Sequence, residues 1–307
     1  MTTFGVHTGL QHTTTDELRS LWRHIEALGY GWISIWDHFY GATSHKKYGS
    51  TGQAPNAECF EAVALHAALA CETSRVRVGS LVYSVGYRHP AVLAKVITAI
   101  DHLSGGRADL GLGAGWSQVE YDAYGIPFPP VGQRMDQLEE AAQMVRGLLH
   151  DEVTTFSGAT WTLDEARNEP RPRQSRLPIW IGGGGERRTL RIAAQYADGW
   201  NVPFVTPEVF AHKSRVLDEH CAQVGRDPGE VRRTVNLGIA WTDESLVAQF
   251  GDLAEMVRPG VLNGSDDEVL DRIGQYVAAG ADQINLALRA PFDREALERF
   301  AAALHLV

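Results

Sequence analysis

Short apolar runs alternate with longer stretches of helical spacing along the 307-residue chain. Residues 4–9 read as a first strand. Thr14 and Glu17 then have capping-box spacing. Leu18, Leu21, Trp22, Ile25 and Leu28 follow on one helical face, which Gly29 ends. Residues 32–36 predict a second strand and 60–71 a second helix. Residues 75–82 predict a third strand, and Pro90 opens the next helix as a first-turn proline can. Strand four is expected at 108–113, followed by a helix marked by Met135, Leu138, Ala142, Val145 and Leu149. The pattern continues with strands at 177–181, 199–202, 231–241 and 283–288. Helices are expected near 187–196, at 207–224, after Ser265 and Glu268, and at 293–304.

Eight strand–helix alternations predict a parallel sheet with crossover helices, and eight is the number that closes a TIM barrel. The expected fold is therefore α/β, a (β/α)8 barrel forming one domain over residues 1–307, with a doubly wound open sheet as the other arrangement. Four connections, 41–58, 114–130, 151–176 and 242–264, are longer than the barrel requires. The first two follow strands directly, so they are expected over the carboxyl-terminal mouth, where active sites sit. The third holds Val153, Thr155 and Trp161 around Ser157-Gly158 and predicts a small hairpin.

Charge and cysteine usage narrow the function. A formal charge of −10, with no basic stripe, repels nucleic acid. Cys59, Cys71 and Cys221 form no CxxC pair and are expected as buried, reduced thiols. No HExxH or short His/Cys cluster predicts a metal site. The first residues lack a basic start and long apolar run, and no stretch approaches the ~20 residues of a membrane span. A cytoplasmic protein without membrane contact is expected.

Three sites could carry chemistry. Gly182–Gly185, followed by Glu186, lies between a strand and a helix, where bare backbone N–H groups can hold a phosphate; a mobile turn is the other reading. Gly111, Gly113 and Gly115 are spaced GxGxG, not the dinucleotide GxGxxG, and would let a flat ring pack on strand four. Asp37 and His38 end strand two at the mouth, where a histidine can exchange protons near neutral pH. His45 and His89 are weaker candidates for the same role.

Six segments carry a resemblance: WDHF at 36–39, YRHPAVLAK at 87–95, SGGRADLGLGAGW at 104–116, YGIPFPP at 124–130, GGGGE at 182–186 and ADGWN at 197–201. Together they resemble the luciferase-like monooxygenase superfamily, most closely the branch that depends on the deazaflavin coenzyme F-420. The resemblance implies a homodimeric oxidoreductase that moves a hydride between the deazaflavin and a small organic substrate. It implies a non-proline cis peptide behind the cofactor ring, within Ser80-Leu81-Val82-Tyr83, at Leu81–Val82 by preference and at the neighbouring bond as the alternative, and a contact from Asp37 to the deazaflavin. It further implies that His38 faces the substrate as the catalytic proton-transfer group. Gly183, Gly184, Gly185 and Glu186 would serve the cofactor phosphate, and Ala114, Gly115 and Trp116 would line its ring or tail. Trp36, Phe39, Tyr83 and Trp116 are expected as an aromatic wall. Ala114 and Trp116 stand where the sugar-phosphate dehydrogenases of this branch carry a threonine and a glutamate, and Ala42 where they carry a tryptophan. A proton-donating carboxylate is therefore expected to be missing, and a sugar-phosphate substrate is disfavoured. The alternatives are an FMN-dependent monooxygenase of the same superfamily and a catalytically idle flavin-binding barrel.

Overall fold

The computed structural model describes residues 2–41 and 58–306. In chain order the strands are β1 (Thr3–Thr8), β2 (Trp32–Ile35), β3 (Arg77–Ser80), β4 (Tyr83–Ser84), β5 (Ala108–Gly113), β6 (Thr154–Ser157), β7 (Thr162–Ala166), β8 (Ile179–Gly182), β9 (Gly199–Pro203), β10 (Arg232–Ile239), β11 (Val261–Leu262) and β12 (Gln283–Leu288). Eight of them, β1, β2, β3, β5, β8, β9, β10 and β12, pair in parallel in that order. The ring closes where β12 meets β1, making a (β/α)8 barrel.

Strand alternation divides the residues into two sets. Val6, Ile33, Val78, Leu110, Ile181, Val235 and Ile284 join the main core against the surrounding helices. The opposite set turns inward. Trp32 and Trp180 approach each other there with ring centroids 5.6 Å apart and pack with Leu81 and Val82. The helices behave as their sequence signals require. Thr14 and Ser265 each form a complete capping box, at the helices Thr15–Ala27 and Asp266–Ala278. His89, a weaker candidate for proton exchange, instead accepts the Ala91 N–H as N-cap of the helix Pro90–Ser104.

The long connections hold more structure than expected. Residues 151–176 contain the anticipated hairpin, β6 against β7. Residues 114–130 contain the helix Gln118–Tyr124, and residues 242–264 contain the helix Asp243–Phe250 and β11, which pairs in parallel alongside the carboxyl end of β10. The 242–264 segment also covers the mouth, because it follows β10. Most of the first connection, with Ala42 and His45, lies outside the described residues.

Candidate active site

The mouth of the barrel holds a cavity of about 550 Å³, within the usual range for small-molecule sites. One wall is the bulge made by Leu81 and Val82 between β3 and β4, which both pair with β5. The Leu81–Val82 peptide is cis, at the bond the resemblance indicates, and both residues line the cavity. Strands β5 and β8 accommodate this segment by having no side chains where it passes. A Cβ on Gly111 would fall 2.0 Å from the Ser80 carbonyl oxygen. A Cβ on Gly113 or Gly182 would fall 2.3 or 2.7 Å from a Val82 methyl. The GxG spacing on β5 therefore makes room for the protein's own backbone and Val82, not directly for a flat ring. Gly115 is required differently: its φ is +72°, and a Cβ would sit 2.2 Å from the Tyr121 hydroxyl.

Asp37 and His38 leave the end of β2 in different directions. Asp37, buried, takes a two-pronged contact from Arg88 (2.7 and 3.1 Å) and accepts the Ser84 N–H at 3.0 Å. Burial pushes its carboxyl up, against the pull of Arg88. Asp37 also borders the cavity, but its oxygens are engaged in holding the chain just after the bulge.

His38 meets a carboxylate that the sequence did not announce. Its Nδ1 lies 2.7 Å from Oε1 of Glu120, in the helix Gln118–Tyr124. Glu120 is 1% exposed and also accepts the Tyr87 hydroxyl at 2.5 Å and the Phe39 N–H at 3.2 Å. Burial would raise its carboxyl, but these hydrogen bonds prevail and hold it below the ordinary value. Glu120 is thus an ionised hydrogen-bond acceptor for the histidine, not the proton-donating carboxylate expected to be missing. The family's glutamate position holds Trp116, and one helical turn later Glu120 reaches the histidine. The helix Gln118–Tyr124 also carries Asp122, so its pattern does not single Glu120 out.

Of the anticipated aromatic wall, Trp36 and Trp116 line the cavity. Phe39 stacks between Tyr87 and Tyr124 instead, and Tyr83 is buried with its hydroxyl 2.9 Å from His66 Nδ1. Ala114 and Gly115 line the cavity beside Trp116.

After β8, Gly183 and Thr189 reach the cavity wall; Gly184, Gly185 and Glu186 continue just beyond it. Gly183 donates its N–H to the Asn201 carbonyl, so that amide is committed. The Gly184 carbonyl and the Glu186 carboxylate both hold Lys213 (2.7 and 2.9 Å). This leaves the amides of residues 184–186, the Thr189 hydroxyl and Arg134 as groups that could meet an anion at this end.

The opposite wall was not anticipated. His7, Asn201, Asn236 and Arg289 line it, all nearly fully buried. Burial, then Arg289 and His38, drive the His7 imidazole down to about 3, so it is neutral; its Nδ1 is 2.8 Å from Ser34 Oγ. Arg289 lies over the rings of Trp36 and Phe250, 4.6 and 4.9 Å from their centroids, and burial lowers it to about 10. Among the described residues, no group of three His, Cys, Asp or Glu side chains is arranged to hold a metal. No helix among them is long and apolar enough to cross a membrane.

A closed barrel with a glycine-packed bulge and a histidine–carboxylate pair at its mouth defines a class of small-molecule enzyme scaffold. The family model for luciferase-like monooxygenases matches residues 1–250, and the chain belongs to that family. It is 29% identical over 246 residues to the pyrimidine monooxygenase RutA of Caulobacter vibrioides, covering 76% of this chain and 64% of that protein. The chain thus spans just under two thirds of that relative. An F-420-dependent glucose-6-phosphate dehydrogenase from Kineococcus radiotolerans is 30% identical over 179 residues, 57% of this chain and 52% of the other. The fold matches a solved F-420-dependent secondary alcohol dehydrogenase, in complex with an F-420–acetone adduct, with a TM-score of 0.85. Identity there is 19%, covering 100% of this chain and 99% of that one.

Proposed function

We propose that this chain is an oxidoreductase that moves a hydride between coenzyme F-420 and a small organic substrate, with His38 as the proton-transfer residue. The observation that carries this reading is the His38–Glu120 pair, set in the same cavity as the bare apolar bulge at Leu81–Val82. The cavity fits a planar ring with an anionic tail. Leu81, Val82 and Ala114 offer an apolar face, while the amides after Gly183, with Thr189 and Arg134, offer donors to an anion. When bound, the deazaflavin supplies the two-electron hydride chemistry.

The protein's own part follows from its hydrogen bonds. The ionised Glu120 accepts from His38 Nδ1, which leaves Nε2 as the nitrogen that can take or give a proton. Tyr87 and the Phe39 N–H hold the Glu120 carboxylate in place, and Asp37 ties the chain at Ser84 through its backbone. Trp36 and Trp116 flank the imidazole edge-on, at 5.9 and 5.4 Å, and shield it from bulk water.

Titration of the protein into F-420, and separately into FMN, tests the cofactor by fluorescence quenching. Saturable quenching of F-420 with weaker binding of FMN is expected. The similarity to a pyrimidine monooxygenase supports the second reading, an FMN-dependent monooxygenase, and tight FMN binding without response to F-420 would replace the first by it. His38→Ala is expected to lower turnover about 100-fold and to leave cofactor affinity nearly unchanged. Full turnover in that variant would remove His38 from the mechanism.

A further inference from the structure

The inward-facing polar side chains of β9, β10 and β12 form one directed chain of hydrogen bonds. It starts at Arg232, at the beginning of β10, whose Nη2 donates to Gln283 Oε1 at 3.3 Å. A guanidinium can only donate, so this contact fixes which end of the Gln283 amide faces it. Gln283 Nε2 then donates to Asn285 Oδ1 (2.9 Å), and Asn285 Nδ2 donates to Asn236 Oδ1 (3.0 Å). Asn201 Nδ2 donates to the same oxygen at 2.9 Å and to the Thr234 carbonyl at 3.4 Å. Each amide is oriented by its neighbour, and the whole set by a group that cannot accept.

Two atoms are left over where this chain reaches the cavity. Asn236 has its oxygen occupied twice and retains the Nδ2 hydrogens. Asn201 has its nitrogen occupied twice and retains Oδ1. Among the described residues neither atom has a protein partner and neither is sealed from the cavity, although the residues themselves are only 3% and 4% exposed. A fixed donor and a fixed acceptor therefore stand on neighbouring strands, on linked side chains, facing a ligand space.

We infer that Asn236 and Asn201 form a site for an amide edge, the adjacent C=O and N–H of a lactam or imide. The ligand carbonyl accepts from Asn236 Nδ2 and the ligand N–H donates to Asn201 Oδ1. A pyrimidinedione ring has this edge whether it belongs to a flavin-type cofactor or to a cyclic amide substrate. In its cofactor form the inference rests on the function proposed above; in its substrate form it stands without it. Selectivity follows from burial, because a ligand lacking either group leaves a buried polar atom unpaired.

Two methylated pairs test this on the unaltered protein: FMN against 3-methyl-FMN by fluorescence, and uracil against 1,3-dimethyluracil by calorimetry. At least one pair is expected to lose about tenfold or more in affinity on methylation. Loss in the flavin pair assigns the edge to the cofactor, and loss in the uracil pair assigns it to the substrate. Asn236→Asp keeps the oxygen that Asn285 and Asn201 require and replaces the donor facing the cavity. In this variant, checked for an unchanged thermal unfolding midpoint, F-420 or the responding unmethylated probe is expected to bind about tenfold more weakly. The inference is overturned if none of the probes binds, or if neither methylation nor Asn236→Asp alters any affinity. Should the variant fail to fold, the methylated pairs alone decide. A protein that binds uracil selectively but neither F-420 nor FMN would refute the proposed function and leave the amide site standing.

Discussion

The wall formed by the bulge after β3 with β5 and β8 meets the cavity with backbone and methyl groups, whereas β9 and β10 meet it with amides. The first wall is a problem of volume: Gly111, Gly113 and Gly182 each leave a space that Ser80 or Val82 fills. The second is a problem of polarity: Asn201, Asn236 and Asn285 are buried because each satisfies another. A barrel interior is more commonly filled by branched aliphatic side chains. Here the strands bring glycines to one wall, where Val82 fills the space, and amides to the other, and the difference makes one side tolerant of a change in polarity and the other tolerant of none. One wall can be broken by a methyl group, the other by an exchange of nitrogen for oxygen.

The largest effect is expected where volume is least forgiving. Gly111→Ala places its methyl against a backbone carbonyl that cannot turn away, and should cost about 3 kcal/mol or more of stability in urea unfolding. Gly113→Ala meets a Val82 methyl instead, so Val82→Ala in the same chain should restore much of the loss. Equal damage from Gly113→Ala with and without Val82→Ala would show that the wall is not set by this contact.

Between the two walls stands the histidine with its carboxylate. Glu120→Gln keeps the shape but offers an amide to three donors, from His38, Tyr87 and Phe39. Loss of the ionised acceptor leaves the imidazole tautomer unfixed, and turnover should fall about 100-fold. Cofactor affinity should change little. If turnover survives, Glu120 only supports the fold.

The polar wall should announce itself in acid. His7 lies in it as a neutral imidazole, held down to about 3 from an ordinary 6.5. Below pH 6.5 the unfolded chain takes up a proton there that the folded chain refuses until near pH 3. The stability from this group is therefore present above pH 6.5 and is lost as pH falls. By pH 5 the loss should approach about 2 kcal/mol. Unfolding midpoints of wild type and His7→Asn, compared from pH 7 to 5, should converge as the wild type weakens. Parallel curves would mean that His7 charges freely in the folded state.

The two walls were also unequally legible. The strand–helix alternation gave the barrel, and β5 and β12 were located to the residue, because hydrophobic period is local information. The glycines of β5 were visible as a spacing, yet their reason was not, since Val82 approaches from another strand. Glu120 and the amides were missed because each acquires meaning from a partner 35 to 82 residues away. A signal for the amides did exist. Strands of a parallel sheet, covered on both faces, normally read as continuous apolar runs, and Asn201, Asn236 and Asn285 interrupt three of them at inward positions. The mouth-covering role of residues 242–264 could have been read in the same way, from the strand that precedes them.

The smallest effect is expected at the anionic end, beyond both walls. Glu186 is partly exposed, and its carboxylate faces Lys213 and His212, so its charge is spent on the helix Pro207–Gln223. If this end holds an anion through main-chain N–H groups, the side chain at 186 matters little. Glu186→Gln should then leave cofactor affinity within about threefold of wild type, less than one ordinary hydrogen bond is worth. Gly185→Ala is the informative contrast, because its Cβ would come within 2.8 Å of Thr189 Oγ1 and displace a hydroxyl that lines the cavity. It should weaken binding more than Glu186→Gln does. The reverse order, a strong loss at 186 and none at 185, would mean that a side chain rather than the backbone recognises the ligand here.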